Sequence, residues 1–263
     1  MNGAAMRVRD ALAQAARTLA PVSDSARLDA ELLMAHALGV SRDRMLLGRL
    51  DADVPAAFDA LVARRLEQEP VAYILGRRAF WTIELEVGPG ALVPRPDSET
   101  LIEGAIDFFG TRTPGAILDL GTGPGTLLLA ALAQWPDARG VGVDVSDAAL
   151  AYARRNGAAL GMAGRVAWRT GDWARGIDGR FDLILANPPY IGTGEALPRD
   201  VVGHEPHGAL FAGADGLDAY RVIVPDLRRL MAPEGLCVLE IGATQGDAVA
   251  ALARDHGFAV DVR

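Results

Sequence analysis

The sequence predicts an α/β protein, a parallel sheet covered on both faces by helices, with a small helical domain ahead of it. Three observations predict it. The first 75 residues place apolar side chains at helical spacing and show no strand-like alternation. From Gly115 onward, short apolar runs alternate with helical stretches, as expected of strands buried on both faces. Between the two lies a strand-like segment broken by Gly88-Pro89-Gly90.

The elements follow in chain order. Met1 to Ala20 is an amphipathic stretch carrying Arg7, Arg9, Asp10 and Arg17. Leu28, Leu32, Leu33 and Ala35 to Leu38 belong to a helix begun by Ser23, Asp24 and Ser25 and ended at Gly39; Pro55 opens another with Phe58, Leu61, Val62 and Leu66, closed by Pro70. Phe80 to Val87 reads as a strand, turned by Gly88-Pro89-Gly90 into Ala91-Leu92-Val93, which predicts a β-hairpin. Pro94-Arg95-Pro96-Asp97-Ser98 is extended and then starts a helix over Glu99 to Phe109. Strands are predicted at Ala116 to Leu120, Gly140 to Asp144, Val166 to Arg169, Phe181 to Ala186 and Leu236 to Ile241, with helices such as Leu127 to Gln134 and Asp147 to Leu160 between them. Ligands of such a sheet belong at the carboxyl ends of its strands, near the topological switch point.

Composition narrows the function. Half of the 263 residues are hydrophobic, which supports a packed core. The single cysteine, Cys237, excludes an internal disulfide framework and a cysteine-cluster zinc site. No apolar run reaches the ~18 residues of a membrane span, and the reading is of a soluble, cytoplasmic protein. All 26 basic residues are arginine, so a lysine Schiff base and a P-loop lysine are excluded. Residues 1–80 hold 11 arginines against 10 acids, whereas residues 81–263 hold 15 against 24. An acidic main domain is a poor general binder of duplex DNA.

The first chemical signal is Asp119-Leu120-Gly121-Thr122-Gly123-Pro124-Gly125, between a strand and a helix. Glycines there let backbone approach a ligand, and the helix start offers free N–H groups. A nicotinamide fingerprint needs its third glycine one place later, where Thr126 stands. The G-x-G-x-G spacing after an acid is the pattern of S-adenosylmethionine-dependent methyltransferases. Asp144, ending the next strand, is placed to accept from both ribose hydroxyls; the plainer alternative is a glycine turn with a structural Asp.

The second signal is Asn187-Pro188-Pro189-Tyr190 after the fourth strand. Two prolines fix the backbone and leave carbonyls free to accept. The Asn187 oxygen and the Pro188 carbonyl suit the two hydrogens of a planar NH₂ group, with Tyr190 on its face. Alone, the segment also reads as a rigid turn. His204 and His207 have no spaced metal partner and are read as structural, and no metal is expected.

With these residues in place, nearly the whole chain resembles the HemK-type N5-glutamine methyltransferases of peptide chain release factors. The resemblance is carried by Pro70 to Gly76 with Phe80, Val93-Pro94-Arg95-Pro96-Asp97-Ser98-Glu99, the glycine loop, Gly171-Asp172-Trp173, Asn187 to Tyr190, His204-Glu205-Pro206 with Ala209-Leu210-Phe211, Asp215 to Asp218 and Glu240-Ile241-Gly242. It implies a Rossmann-like S-adenosylmethionine-binding catalytic domain over residues 96–263, a β-hairpin linker over 76–95 and a helical substrate-recognition domain over 1–75. It further implies that Asp119, Gly121, Thr122, Gly123 and Gly125 cradle the methionine part of S-adenosylmethionine, Asp144 its ribose, and Asp172 and Trp173 its adenine, with Asn187 between cofactor and substrate. Asn187 and Pro188 are expected to hold the glutamine amide, Pro189, Tyr190 and Phe80 to line its pocket, and Arg95 with Asp97 and Glu99 to shape the entrance. Family members usually continue beyond the final strand, here Gly257 to Val260, into a further turn and strand, which leaves the far sheet edge open to question.

The implied partner is a release factor with an exposed Gly-Gly-Gln loop, and neither nucleic acid nor membrane is expected to bind directly. Two other substrates stay open at this level. They are a ribosomal-protein glutamine and a nucleic-acid adenine at N6, since Asn-Pro-Pro-Tyr with a glycine loop is shared with adenine methyltransferases. A non-enzymatic protein with a vestigial cofactor fold is the reading from another class.

Overall fold

The structure, a computed structural model, describes residues 6–263; the first five residues of the amphipathic amino-terminal stretch lie outside the described residues. The chain divides into two compact units, one of residues up to Gly76 with Pro198–His204, the other of Arg77–Leu197 with Glu205–Arg263.

The first unit is helical: α1 (Val8–Leu19), α2 (Ala26–Ala37), α3 (Arg42–Gly48), α4 (Phe58–Leu66) and α5 (Val71–Leu75). In α1 the buried residues Val8, Ala11, Leu12, Ala15 and Leu19 form one stripe at helical spacing. They pack with Leu33, Met34, Met45 and Phe58 in a core of this unit's own. α3 and α5 are additional to the helices predicted; α3 is capped by the Ser41 hydroxyl, which accepts from the Arg44 N–H. Ahead of α2 the expected serines act differently. Ser23 and Ser25 donate to the carboxylate of buried Asp29 (2.7 and 2.9 Å), which also accepts from Arg65 Nε at 2.8 Å. A buried acid is tolerated because every lone-pair direction in use has a donor.

The second unit opens with an antiparallel hairpin, β1 (Arg77–Phe80) and β2 (Ile83–Glu86). Its reversal is at Trp81-Thr82, not at Gly88-Pro89-Gly90 as predicted. The tight loop takes Trp81 to φ +53°, and its N–H donates to Glu99 Oε1 at 2.8 Å. The segment after Gly90 finds no strand partner, because the Val93 N–H goes to the buried Glu205 Oε2 at 3.0 Å. Then come a 3-10 turn at Pro96–Ser98, α6 (Glu99–Phe109), β3 (Ala116–Leu120), α7 (Thr126–Gln134), β4 (Arg139–Asp144), α8 (Asp147–Ala159), β5 (Val166–Thr170) and β6 (Phe181–Ala186). α9 (Arg199–His204) follows and groups with the first unit, where Asp200 faces Arg65 at 3.5 Å. The chain ends with α10 (Asp218–Leu230), β7 (Met231–Leu239) and α11 (Gly246–Asp255).

The five-stranded sheet has the order β5-β4-β3-β6-β7, all parallel. From β3 the chain winds one way through β4 and β5, then crosses back to β6 and β7, so the switch point lies between β3 and β6. One face packs Leu118, Leu120, Val143 and Ile184 against Tyr220, Ile223, Val224 and Leu227 of α10. The other is filled from α7, whose residues Leu127 to Leu132 are all buried.

Gly257 to Val260 does not pair as a strand. Gly257 turns at φ +78°, Arg228 of α10 holds the carbonyls of His256 and Gly257 (2.6 and 3.1 Å), and Arg263 pairs with Asp107 of α6. These ties hold the segment off the ladder, and β7 is the edge strand. Cys237 sits on β7, partly buried against the sheet core. No helix among the described residues is long and apolar enough to cross a membrane.

Candidate active site

The register places the two chemical motifs side by side. Leu120 of β3 pairs with Val143 of β4 and Ala186 of β6, so Gly121, Asp144 and Asn187 leave neighbouring strands at one level. They open on a cavity of about 510 Å³, within the range of small-ligand sites. Its walls include Asp119, Gly121, Thr122, Gly123, Asp144, Asp172, Trp173, Asn187, Pro189 and Arg95.

On the glycine-loop side, Gly121, Gly123 and Gly125 have φ of +73°, +56° and +88°. A Cβ on Gly123 would meet nothing within 4 Å, which leaves its backbone open to a ligand. Gly125 is not a wall residue. A Cβ there would lie 2.8 Å from Leu129 and 3.0 Å from Trp168, so it is a packing glycine at the start of α7. Asp144 Oδ2 accepts from the Gly123 N–H (2.7 Å) and Oδ1 from Ser146 N–H (2.8 Å), fixing the loop and leaving lone pairs for further donors. Burial holds its carboxyl above the usual carboxylate range.

Asp119 is the most perturbed acid. Burial pushes it up to about 7, although Oδ2 accepts from Thr122 Oγ1 (2.6 Å) and the Leu128 N–H (3.2 Å). Its Oδ1 is buried without a hydrogen-bond partner. A lone carboxylate oxygen in a cavity wall suits an ammonium donor. The residues therefore fit S-adenosylmethionine: Asp119 for the methionyl ammonium, Gly123 for close approach, Asp144 for hydroxyls and partly buried Trp173 for a flat base.

The other side is built around Asn187, whose Nδ2 donates to Ser98 Oγ at 3.0 Å. Ser98 donates in turn to Glu240 Oε2 at 2.5 Å, and Tyr190 OH donates to Glu240 Oε1 at 3.3 Å. Burial raises Glu240, opposed by the bonds from Ser98, Tyr190 and Asn187, and burial with the neighbouring Glu240 pushes the Tyr190 phenol up to about 12. Arg95 lies at the wall, held by Glu205 Oε1 at 2.5 Å.

Phe80, Pro188 and Tyr190 are not among the wall residues; Phe80 is buried opposite Ile83 in the hairpin. Asp97 is exposed, and Glu99 serves as the hairpin clamp on Trp81. His204 Nε2 lies 3.4 Å from the Glu67 carbonyl, and His207 stacks edge-on against Phe211. Among the described residues no group of three or more His, Cys, Asp or Glu side chains is set to hold a metal ion.

Sequence reasoning missed several supporting residues. Asn156 of α8 donates to the Pro124 and Glu86 carbonyls (2.9 and 3.0 Å) and accepts from the Glu86 N–H (2.7 Å), tying β2 to the glycine loop. Glu205 anchors Arg95 and Val93, and Glu240 anchors Ser98 and Tyr190. For Glu240 a local signal existed: an acid ending an apolar strand, Leu236 to Leu239.

The chain is similar to known proteins over most of its length. Residues 10–76 match the model of the PrmC N-terminal domain, and residues 103–203 that of the methyltransferase small domain. Release factor glutamine methyltransferase from Cereibacter sphaeroides is 44% identical over 261 residues, 97% of this chain and 92% of that protein. The protein of the same name from Rhodospirillum rubrum is 44% identical over 88% of this chain and 73% of its own length. Among solved structures, a methyltransferase from Pyrococcus furiosus superposes with a TM-score of 0.50 at 20% identity, covering 76% of this chain and 88% of that one, a likeness of fold.

Proposed function

The chain belongs to the release factor glutamine methyltransferase family, and from that premise we propose that it moves the methyl group of S-adenosylmethionine to N5 of the glutamine in the Gly-Gly-Gln loop of peptide chain release factors. The observation that carries this reading is the pairing of Leu120 with Ala186, which sets the glycine loop and the Asn187 amide on one cavity.

When bound, S-adenosylmethionine supplies an electrophilic methyl on a sulfonium. The protein's task is to present a poor nucleophile to it, since the amide lone pair is delocalised into the carbonyl. The Asn187 oxygen and the Pro188 carbonyl would accept the two amide hydrogens, fixing the orientation of the nitrogen. Pro189 and Tyr190 keep the backbone of this segment rigid and the site dry, and Arg95 shapes the entrance. Once methylated by the bound donor, which would leave as the thioether, the amide nitrogen would lose a proton to water or a neighbouring oxygen, so no strong base is required. Asp119, Gly121, Thr122 and Gly123 receive the methionyl part, Asp144 the ribose, and Asp172 and Trp173 the adenine, with Gly125 shaping the loop.

Residues 1–75 serve as the substrate-recognition domain, 76–95 as the linker and 96–263 as the catalytic domain. The partner is protein in the cytoplasm, and the reaction needs no direct contact with nucleic acid or membrane. Labelled methyl is expected to pass to a release factor and not to the same factor with its loop glutamine changed to alanine. Transfer to a ribosomal protein alone, or to DNA adenine alone, would replace the substrate.

A further inference from the structure

We infer that Glu240 is a positioning residue for methyl transfer, acting on the Asn187 NH₂ both directly and through Ser98 to hold the amide with its oxygen toward the cavity. The inference rests on the reading that this oxygen receives a substrate amide hydrogen.

The two ends of an asparagine amide have nearly the same size, so packing alone does not choose between them; hydrogen-bond direction does. An ionised carboxylate only accepts. The one hydroxyl hydrogen of Ser98 therefore points at Glu240 Oε2, 2.5 Å away, and Ser98 turns lone pairs toward Asn187. Only the NH₂ end of Asn187 fits that side, at 3.0 Å. The reversed amide would set oxygen against oxygen with no hydrogen between them. Oδ1 is thus left for the cavity wall that Asn187 and Ser98 both line.

The surroundings of Glu240 keep it an acceptor. Tyr190, beyond β6, donates to Oε1 at 3.3 Å, and Tyr220 of α10 donates to its main-chain carbonyl at 2.8 Å, fixing the residue itself. The charged neighbours are Asp97, which disfavours its ionisation, and Arg95, near Tyr190 but paired with Glu205. No cation binds the Glu240 carboxylate directly among the described ion pairs. Protonation would add a hydrogen where the relay needs a lone pair. Ser98 is then free to donate to Asn187, which admits the reversed amide and turns NH₂ against the substrate NH₂. Burial raises the Glu240 carboxyl, which brings this protonation closer to working pH.

The test is steady-state methyl transfer to whole release factor at saturating S-adenosylmethionine, for wild type, Asn187→Ala, Ser98→Ala, Glu240→Gln and the Ser98→Ala/Glu240→Gln double variant. Glu240→Gln is expected to lower kcat by roughly 10- to 100-fold, the usual range for an outer orienting partner, while donor affinity by calorimetry stays within about twofold. The acid limb of the kcat profile is expected to vanish in Glu240→Gln, and the double variant to be no worse than the poorer single one. Ser98→Ala, which leaves the carboxylate in place, carries the same test if Glu240→Gln does not fold. A kcat near wild type in either variant, or losses that multiply in the double variant, overturns the proposal. If Asn187→Ala lowers kcat and Glu240→Gln does not, the relay falls and the role of Asn187 stands. If Asn187→Ala also transfers normally, both fall.

Discussion

Asp119 and Asp144 stand within one loop of each other, and the structure gives them different work. Asp144 accepts from backbone N–H groups on both of its oxygens, whereas Asp119 keeps a whole oxygen unpartnered. Burial places Asp119 at about 7, above its unfolded value, so its ionised form is disfavoured in the free protein. Its contribution to stability is therefore present below about pH 4 and is lost as pH rises toward 7. A cationic ligand reverses this preference. S-adenosylmethionine is expected to bind more weakly below pH 7, by up to about tenfold per pH unit, and to displace a proton on binding. Calorimetric titration in buffers of different ionisation enthalpy measures both, and Asp119→Asn should bind weakly with no proton released. A wild-type affinity that is flat across this range would remove Asp119 from the ammonium site. Asp144→Ala should lose charge-assisted hydrogen bonds and weaken donor binding by roughly ten- to a hundredfold with the fold retained by circular dichroism. The glycine loop and Asn187-Pro188-Pro189-Tyr190 were legible in the sequence because each is chemistry written in consecutive residues. The bonds of Ser98, Glu205 and Glu240 were not, although their segments stand out in the sequence, since those bonds join positions 50 to 142 residues apart and no local pattern records which partner each meets.

The elements divide along the same line. The central strands of the sheet could be read because burial on both faces makes each a short apolar run, and β3 and β6 fall at the predicted residues. The hairpin was displaced because its turn has no turn-forming sequence: Trp81 is bent to a positive φ by a tertiary bond from its N–H to Glu99. Removing that acceptor by Glu99→Ala should lower stability by about 1 to 3 kcal/mol, as expected for an N–H left unsatisfied. Urea unfolding measures it, and an unchanged midpoint would mean the turn holds without Glu99. Gly125 shows how an element can resemble a ligand contact. Its positive φ and its closeness to Leu129 and Trp168 make Gly125→Ala a change in the seating of α7 against Trp168 of β5. A destabilisation of roughly 1 to 3 kcal/mol is expected from overpacking and backbone strain.

At the scale of the molecule, two units with separate cores divide the labour that the proposed reaction demands. A glutamine amide is so weak a nucleophile that rate depends on how tightly it is aligned, and a three-residue loop has little surface with which to secure alignment. Binding energy from the rest of the release factor can be used for that purpose, because contacts remote from the reacting atoms offset the cost of fixing the loop. The flanking glycines of the loop matter for the same reason, since they let backbone enter a narrow pocket without side-chain clashes. Up to Gly76 the chain carries a near-neutral balance of charges, 9 arginines against 10 acids, whereas the rest carries 17 against 24. A protein partner can meet such a surface without the uniform positive charge that a nucleic-acid backbone requires. Whole release factor is therefore expected to exceed a short Gly-Gly-Gln peptide in kcat/KM by at least roughly a hundredfold, with kcat itself reduced for the peptide and not KM alone. Methyl transfer to both substrates under the same conditions makes the comparison. A peptide methylated as fast as the whole factor would mean that the pocket aligns the amide unaided, and the helical unit would lose its role in substrate recognition.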